Sequence, residues 1–440
     1  MAAPLNVGIV GFGNIGTGVV RALETNRAVV ESRVPHPIRV TRIVDIDTTT
    51  RRDANYDPAI LSNDTEGLLA DPDVHVVLEL TGTMDFARDL IDRALQAKKN
   101  VVTANKALIA SHGVDLIRTA VANKVCLLFE GAVGGGIPLL RTLHQGLSPN
   151  DISAVRGILN GTANFILTRM CEEGADGVRA SDFQTALLQA QEMGCAEPDP
   201  TFDVEGHDTA HKLAILATLC FGQDIRFGDI YREGITQIGP IDVVYTRQMG
   251  YAIKLLGIAK RDAEGRVEAR VHPTLLPIRS RLASVGDVYN AIRFDGNLTG
   301  SVILSGKGAG PEPTSSAILS DLMVLASGKA EGGLRREMRL CLPKNEKRLR
   351  PIEELETRYY IRFGLADVAG ALAQVFTILA SHDVSVASMI QPAERGDDYA
   401  PVLVVTHEAR EAKVQEALAQ IRTLEISQAD PYLLRIEDMG

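Results

Sequence analysis

A glycine loop near the amino terminus constrains this chain more than any other feature. Residues 5–10 (LNVGIV) form a short apolar run, and Gly11-Phe12-Gly13-Asn14-Ile15-Gly16 follows at once. Val19, Val20 and Leu23 then recur at helical spacing. Strand, glycine turn and helix in this order make a dinucleotide fingerprint. The glycines allow a tight turn and a close approach of backbone to a pyrophosphate, whose charge rests on the helix N-terminus. Gly11, Phe12, Gly13, Asn14, Ile15 and Gly16 are therefore candidate cofactor residues.

The next segments continue the alternation of strand and helix. Residues 39–45 (RVTRIVD) predict a second strand ending in Asp45, where an acid suits the free 2′-hydroxyl of NAD. Arg51 and Arg52 follow and suit the 2′-phosphate of NADP, so both nucleotides fit. A third strand over 74–80 ends at Thr81, a helix over 85–97 follows, and a fourth strand from Asn100 breaks into a polar turn at Asn105-Lys106. Ligands in open α/β sheets sit beyond the carboxyl ends of strands, which places Thr81, Asn105 and Lys106 at the crevice. A fifth strand, 126–130 (CLLFE), runs into Gly131-Ala132-Val133-Gly134-Gly135-Gly136-Ile137. Carbonyls beside the Glu130 carboxylate are the oxygen-rich setting a hard cation prefers; an interdomain hinge is the plainer reading.

After residue 150 the alternation stops. Strands are expected over 154–162, 251–259, 267–272, 291–295 and 299–304, separated by Gly, Pro and Asp turns, which reads as an α+β domain with an antiparallel or mixed sheet. Within it lies the most acidic stretch of chemical interest, 194–219. Glu197, Asp199, Asp203, Glu205 and Asp208 lead into a helix on which Ala210, Leu213, Ala214 and Ala217 share a buried face. Asp208 and Lys212, four residues apart, stand one above the other. A solvated ion pair is the plain reading of that spacing, and a site is the alternative.

Arginines and lysines crowd residues 329–356, which read as a linker, and the last 80 or so residues read as a βαββαβ unit with its own core. At 440 residues and net charge −10, the chain has room for several domains and lacks the basic balance of a nucleic-acid or anionic-membrane binder. The 5 cysteines form no CxxC pair, the start MAAPLNVGIVGFG has no basic leader, and no apolar run approaches the about 18 residues of a membrane span. A cytoplasmic protein is expected.

Ala104-Asn105-Lys106, Asn160-Gly161-Thr162, and Ala196-Glu197-Pro198-Asp199-Pro200 through Asp203, Asp208 and Lys212 together give the chain a specific likeness. It resembles homoserine dehydrogenases over nearly its whole length, and its C-terminal unit resembles an ACT domain. The resemblance implies an α/β protein with a Rossmann-type doubly wound parallel sheet over 1–137 and an α+β substrate and oligomerisation domain over 138–305. A segment returning to the nucleotide domain (306–328), the linker and the βαββαβ ACT domain over 357–440 complete it. The implied reaction interconverts L-homoserine and L-aspartate 4-semialdehyde with NAD or NADP, on the route to threonine and methionine. Lys212 is the implied acid/base, with Lys106 a second lysine near the reacting oxygen. The two lysines are expected to lower one another's pKa by like-charge repulsion. Glu197 and Asp208 would hold the substrate ammonium, or Asp208 would orient Lys212; Asp203, Gly161 and Thr162 complete the implied substrate set. Gly310 and Thr81 join the glycine loop in binding the nucleotide. A structural sodium or potassium ion is implied at Glu130 and the backbone oxygens of Val133, Gly135 and Ile137. A homodimer or homotetramer and threonine as effector at the ACT unit are also implied. The sequence departs from the pattern at Cys195, often a tyrosine, and at Asp367-Val368-Ala369-Gly370, where alanine replaces the usual proline.

Three rivals use the same residues. His207-Asp208-Thr209-Ala210-His211 mimics a zinc-protease motif, Cys195 could serve as the nucleophile of a semialdehyde dehydrogenase, and an ACT unit on a nucleotide fold could be a sensor without chemistry.

Overall fold

The computed structural model describes residues 3–174, 177–328, 342–392 and 399–439. The linker arginines Arg335, Arg336 and Arg339 lie outside the described residues.

Six parallel strands open the chain: β1 (Leu5–Val10), β2 (Ile38–Val44), β3 (Leu61–Ser62), β4 (Val76–Glu79), β5 (Asn100–Thr103) and β6 (Leu127–Leu128). They lie in the order β3-β2-β1-β4-β5-β6, so the chain reverses direction across the sheet between β1 and β4. This is the doubly wound α/β arrangement, with its crevice at the carboxyl ends of those two strands. The fifth expected strand shrinks to Leu127–Leu128, and Glu130 enters a short 3-10 turn, Glu130–Ala132.

Glycines set how closely the layers pack. A side chain on Gly18, in the helix Asn14–Thr25, would come within 2.9 Å of Ser315 Oγ on the helix Pro311–Ala326. The helix Pro311–Ala326 thus packs closely on the first helix of the nucleotide fold. The polar turn expected at Asn105-Lys106 is instead the start of an 18-residue helix, Lys106–Asn123, capped by Asn105, whose side chain accepts from Leu108 N–H at 3.1 Å.

The second sheet is mixed and, among the described residues, has 11 strands. Its main path runs Gly300–Lys307, Tyr289–Gly296, Ile152–Ile158, Tyr251–Arg261, Val267–Pro277, Ser427–Ile436, Glu356–Leu365, Ala400–Thr406, Val386–Ile390. The C-terminal βαββαβ unit does have an apolar core, with Tyr359, Phe363, Val375 and Ile421 buried in it. Yet its last strand pairs in parallel with the middle domain, Thr274 against Arg435 and Leu275 against Ile436, so one sheet crosses both. Burial of Leu275, Tyr360, Leu434 and Ile436 in a shared cluster seals that junction.

Candidate active site

The helix His207–Phe221 sits at the centre of the middle domain. Gly206, at φ 79°, makes the left-handed turn that opens it, a conformation a β-carbon would strain. Ala210, Leu213, Ala214 and Ala217 are fully buried, which fixes the first turn rigidly under the crevice. Asp208 and Lys212 are buried too, so the solvated pair is excluded.

Asp208 is the hub. Its Oδ2 accepts from Lys212 Nζ at 2.7 Å and from Asn160 Nδ2 at 2.8 Å, and its Oδ1 pairs with Lys106 Nζ at 3.0 Å. Lys212 Nζ also donates to the Leu159 carbonyl at 2.7 Å. Asn160 donates a second time, to Asp203 Oδ1 at 2.7 Å, while its own carbonyl caps the helix Gly161–Met170 at Ala163. Lys106 enters from the nucleotide domain and lies over the Phe202 ring, 5.5 Å from its centre.

The two lysines differ in electrostatic state. Burial, with Lys106 nearby, holds the Lys212 amine below the ordinary lysine value. Burial opposes the charge on Lys106 as well, but the Asp208, Asp203 and Glu197 carboxylates outweigh it and the net shift is upward. The expectation that both lysines fall is therefore corrected: carboxylates surround one, and burial dominates the other. Burial alone would raise Asp208, but Lys212 and Lys106 hold it well below the usual carboxylate range. Asp203 is raised by burial.

Among the other expected substrate residues, Gly161 begins its helix 2.8 Å, measured from the place of a β-carbon, from the Val288 carbonyl. Thr162 donates its hydroxyl to the Cys195 carbonyl at 2.7 Å, and Glu197 is exposed. The main chain of Cys195 thus serves the site, and its Sγ lies 3.9 Å from the Met193 carbonyl. The histidines of the zinc-like motif belong to a stack: the His211 ring lies 4.1 Å from Phe227 at 11°, and its Nδ1 faces the His207 carbonyl at 2.9 Å.

On the nucleotide side, side chains on Gly11 and Gly16 would collide with the Leu80 and Gly11 carbonyls respectively, so both are needed for the turn. Gly13 is exposed, with nothing within 4 Å of a β-carbon position, and no side chain caps the helix it opens. That open cradle beside uncapped N–H groups fits a pyrophosphate. Phe12 N–H donates to Asp45 at 2.5 Å, and Arg52 Nε donates to the Phe12 carbonyl at 2.9 Å. Asn14 is exposed at the loop, with Ile15 partly buried beside it. Thr81 donates to Glu79 at 2.7 Å, and Gly310, at φ 112°, opens the helix that returns to the sheet.

The residues expected to hold a cation make the following contacts. The Glu130 carboxylate accepts from the N–H groups of Leu140 and Arg141, both at 3.0 Å, and burial raises its pKa. Asp321, pushed up to about 7 by burial and the neighbouring Glu130, bridges Glu130 N–H and Arg141. The carboxylate is thus committed to a helix end, and the Ile137 carbonyl takes Leu139 N–H at 2.8 Å. Among the described residues, no group of three or more His, Cys, Asp or Glu is arranged to hold a metal. No helix among them is long and apolar enough to cross a membrane.

Asn160 and the Leu159 carbonyl, central here, were not among the expected site residues. Asn160 had a signal, an asparagine at a strand-to-helix junction beside Gly161-Thr162; a backbone carbonyl has none.

Fold and site together define a nicotinamide-nucleotide oxidoreductase with a substrate domain and an ACT unit. Residues 11–130 match the family description "Homoserine dehydrogenase, NAD binding domain", residues 138–323 match "Homoserine dehydrogenase", and residues 359–423 match "ACT domain". The homoserine dehydrogenase of Pseudomonas aeruginosa is 38% identical, with 99% of this chain and 100% of that protein aligned. A crystal structure of a homoserine dehydrogenase from Thiobacillus denitrificans superposes with a TM-score of 0.89 at 36% identity, covering 99% of each chain. A hyperthermophilic archaeal homoserine dehydrogenase in complex with NADPH shares the fold at 24% identity, TM-score 0.60, over 74% of this chain and 98% of that one. The chain belongs to the homoserine dehydrogenase family, NAD(P)-dependent oxidoreductases.

Proposed function

We propose that Lys212 is the proton acceptor in homoserine oxidation and the donor in the reverse reaction, with Lys106 a fixed cation beside it. The carrying observation is the Asp208 carboxylate shared between the two lysines, at 2.7 Å and 3.0 Å. A neutral Lys212 amine spends both N–H groups on Asp208 and Leu159, which leaves its lone pair for the alcohol proton. Lowering of its pKa by burial makes that neutral form accessible. When bound, the nicotinamide supplies the hydride acceptor. Lys106, kept charged, favours developing negative charge on the substrate oxygen. Because both Asp208 oxygens are engaged by lysines, its role is to orient them. The substrate ammonium then falls to Glu197 and Asp203, with Gly161 and Thr162 shaping the floor.

Gly11 through Gly16, Thr81, Lys106 and Gly310 would hold the nucleotide, with Asp45 and Arg52 at the adenosine ribose. Arg52 stands 3.7 Å from Asp45 and offsets its charge, a setting compatible with NAD or NADP. A structural sodium or potassium ion would be held by Glu130 and the main-chain oxygens of Val133, Gly135 and Ile137. The divisions 1–137, 138–305, 306–328, 329–356 and 357–440, a cytoplasmic setting and a homodimer or homotetramer belong to the same reading. Threonine at the ACT unit would reach the site through Arg435 and Glu233, 2.7 Å apart. The loop beyond Glu233 touches the substrate segment, where Ile235 N–H donates to the Val204 carbonyl at 2.9 Å.

Initial rates with homoserine and each of NAD and NADP test the reading as a whole. Turnover with at least one nucleotide is expected, and none with either would refute it.

A further inference from the structure

The Leu159 carbonyl that accepts from Lys212 at 2.7 Å accepts a second N–H, from Asn290 Nδ2 at 3.0 Å. Asn290 lies near the start of the strand Tyr289–Gly296 and is 1% exposed. Its amide lies against Gly308, where any β-carbon would collide with it. Its Oδ1 is buried without a hydrogen-bond partner among the described residues.

An orphaned amide oxygen in a protein interior is unfavourable, and an apolar side chain of the same shape avoids that cost. Packing therefore does not account for the asparagine. Turning the amide over would set Oδ1 against the Leu159 oxygen, so the orphan follows from the demand for a donor at Leu159. That demand makes sense only if the carbonyl's direction matters, and its other donor is Lys212.

We infer that Asn290 is a positioning residue for proton transfer: it fixes the Leu159 carbonyl so that Lys212 Nζ, held between that oxygen and Asp208, points its remaining valence at the substrate hydroxyl. The inference rests on the assignment of Lys212 as the acid/base. Neither the glycine loop nor the 194–219 stretch points to this residue, which lies 131 positions from Leu159 in sequence.

The test uses the full-length enzyme and homoserine oxidation measured against pH. Asn290→Asp keeps the size but replaces the donor by a negative charge near Lys212, which stabilises its ammonium form. The rising limb of kcat is expected to move up by about one pH unit, a loss of about fivefold at the wild-type half-maximal pH that is regained in more alkaline buffer. Asn290→Leu is expected to lose at least about tenfold in kcat with melting temperature unchanged or raised and nucleotide KM unchanged. If Asn290→Leu keeps wild-type kcat, or if Asn290→Asp keeps the wild-type pH profile, Asn290 merely fills space and the inference is wrong. The Asp profile decides alone should the Leu variant not fold. Lys212→Ala in parallel separates the two claims: turnover surviving in it refutes the Lys212 assignment, whereas its loss beside wild-type behaviour of the Asn290 variants refutes only the positioning role.

Discussion

Two of the regions that bury charge in this molecule differ in their cations. Under the crevice, Asp208 is shared by two lysines. At the junction of the middle domain and the ACT unit the cations are mainly arginines. Arg435, 1% exposed, takes Glu411 in a fork at 2.6 Å and 2.8 Å and reaches Glu233 at 2.7 Å. Glu437 collects Arg156 and Lys260, each at 2.7 Å, and Arg270 at 2.9 Å. A guanidinium keeps its charge in any protein environment and matches a carboxylate with two parallel bonds; a lysine amine gives up its proton when buried. The junction's arginines therefore keep their charge, whereas the crevice holds a titratable lysine. Burial lowers Lys212, while Arg435 remains charged whatever the pH.

The contrast can be broken in order of expected effect. Asp208→Asn removes the charge that orients both lysines, and homoserine turnover should fall by about 10²–10⁴ in steady-state assays while the protein stays folded. Retention of more than a tenth of wild-type activity would mean the lysines do not depend on it. Arg435→Ala strands Glu411 and Glu233 and should cost about 3–5 kcal/mol in denaturant unfolding, with kcat near wild type where the enzyme remains native. A cost under about 1 kcal/mol would show that water or other cations replace it.

The two regions should also respond to pH in different windows. Lys260, Arg270 and Arg156 outweigh burial and hold Glu437 at about 2, below the ordinary glutamate value. A depressed carboxylate stabilises the fold above its unfolded pKa and loses that contribution as pH falls through the folded value. Unfolding midpoints should therefore drop on acidification from roughly pH 4.5 toward 2. Homoserine oxidation should instead rise with pH as Lys212 loses its proton, along a limb below the ordinary lysine range; a rate flat from pH 6 to 10 would contradict that. The smallest effect concerns the link between the regions. Threonine at millimolar concentration should lower initial rates of wild type, and Arg435→Lys should blunt the response by a few fold. A flat threonine titration of wild type would remove the ACT unit as its sensor.

What the sequence made legible follows from the range of each interaction. The glycine loop, and the Asp208 and Lys212 pair at helical spacing, are local, and periodicity reveals them. Lys106 meets Asp208 across 102 positions, and only the family resemblance joined them. Leu159 and Asn290 act through a backbone carbonyl, which has no residue-type signature. The helix Lys106–Asn123 was hidden because apolar residues occupy most of its circumference and Gly113 interrupts it. At Glu130 the sequence shows a carboxylate beside a glycine run, but not that the N–H groups of Leu140 and Arg141 donate to it.

The central claim is that Lys212 moves the proton. Lys212→Ala, with cofactor affinity measured by fluorescence titration and homoserine turnover by nicotinamide absorbance, tests it most directly. The expected result is cofactor binding within about threefold of wild type and turnover lower by about 10³ or more. Turnover within about tenfold of wild type would contradict the assignment.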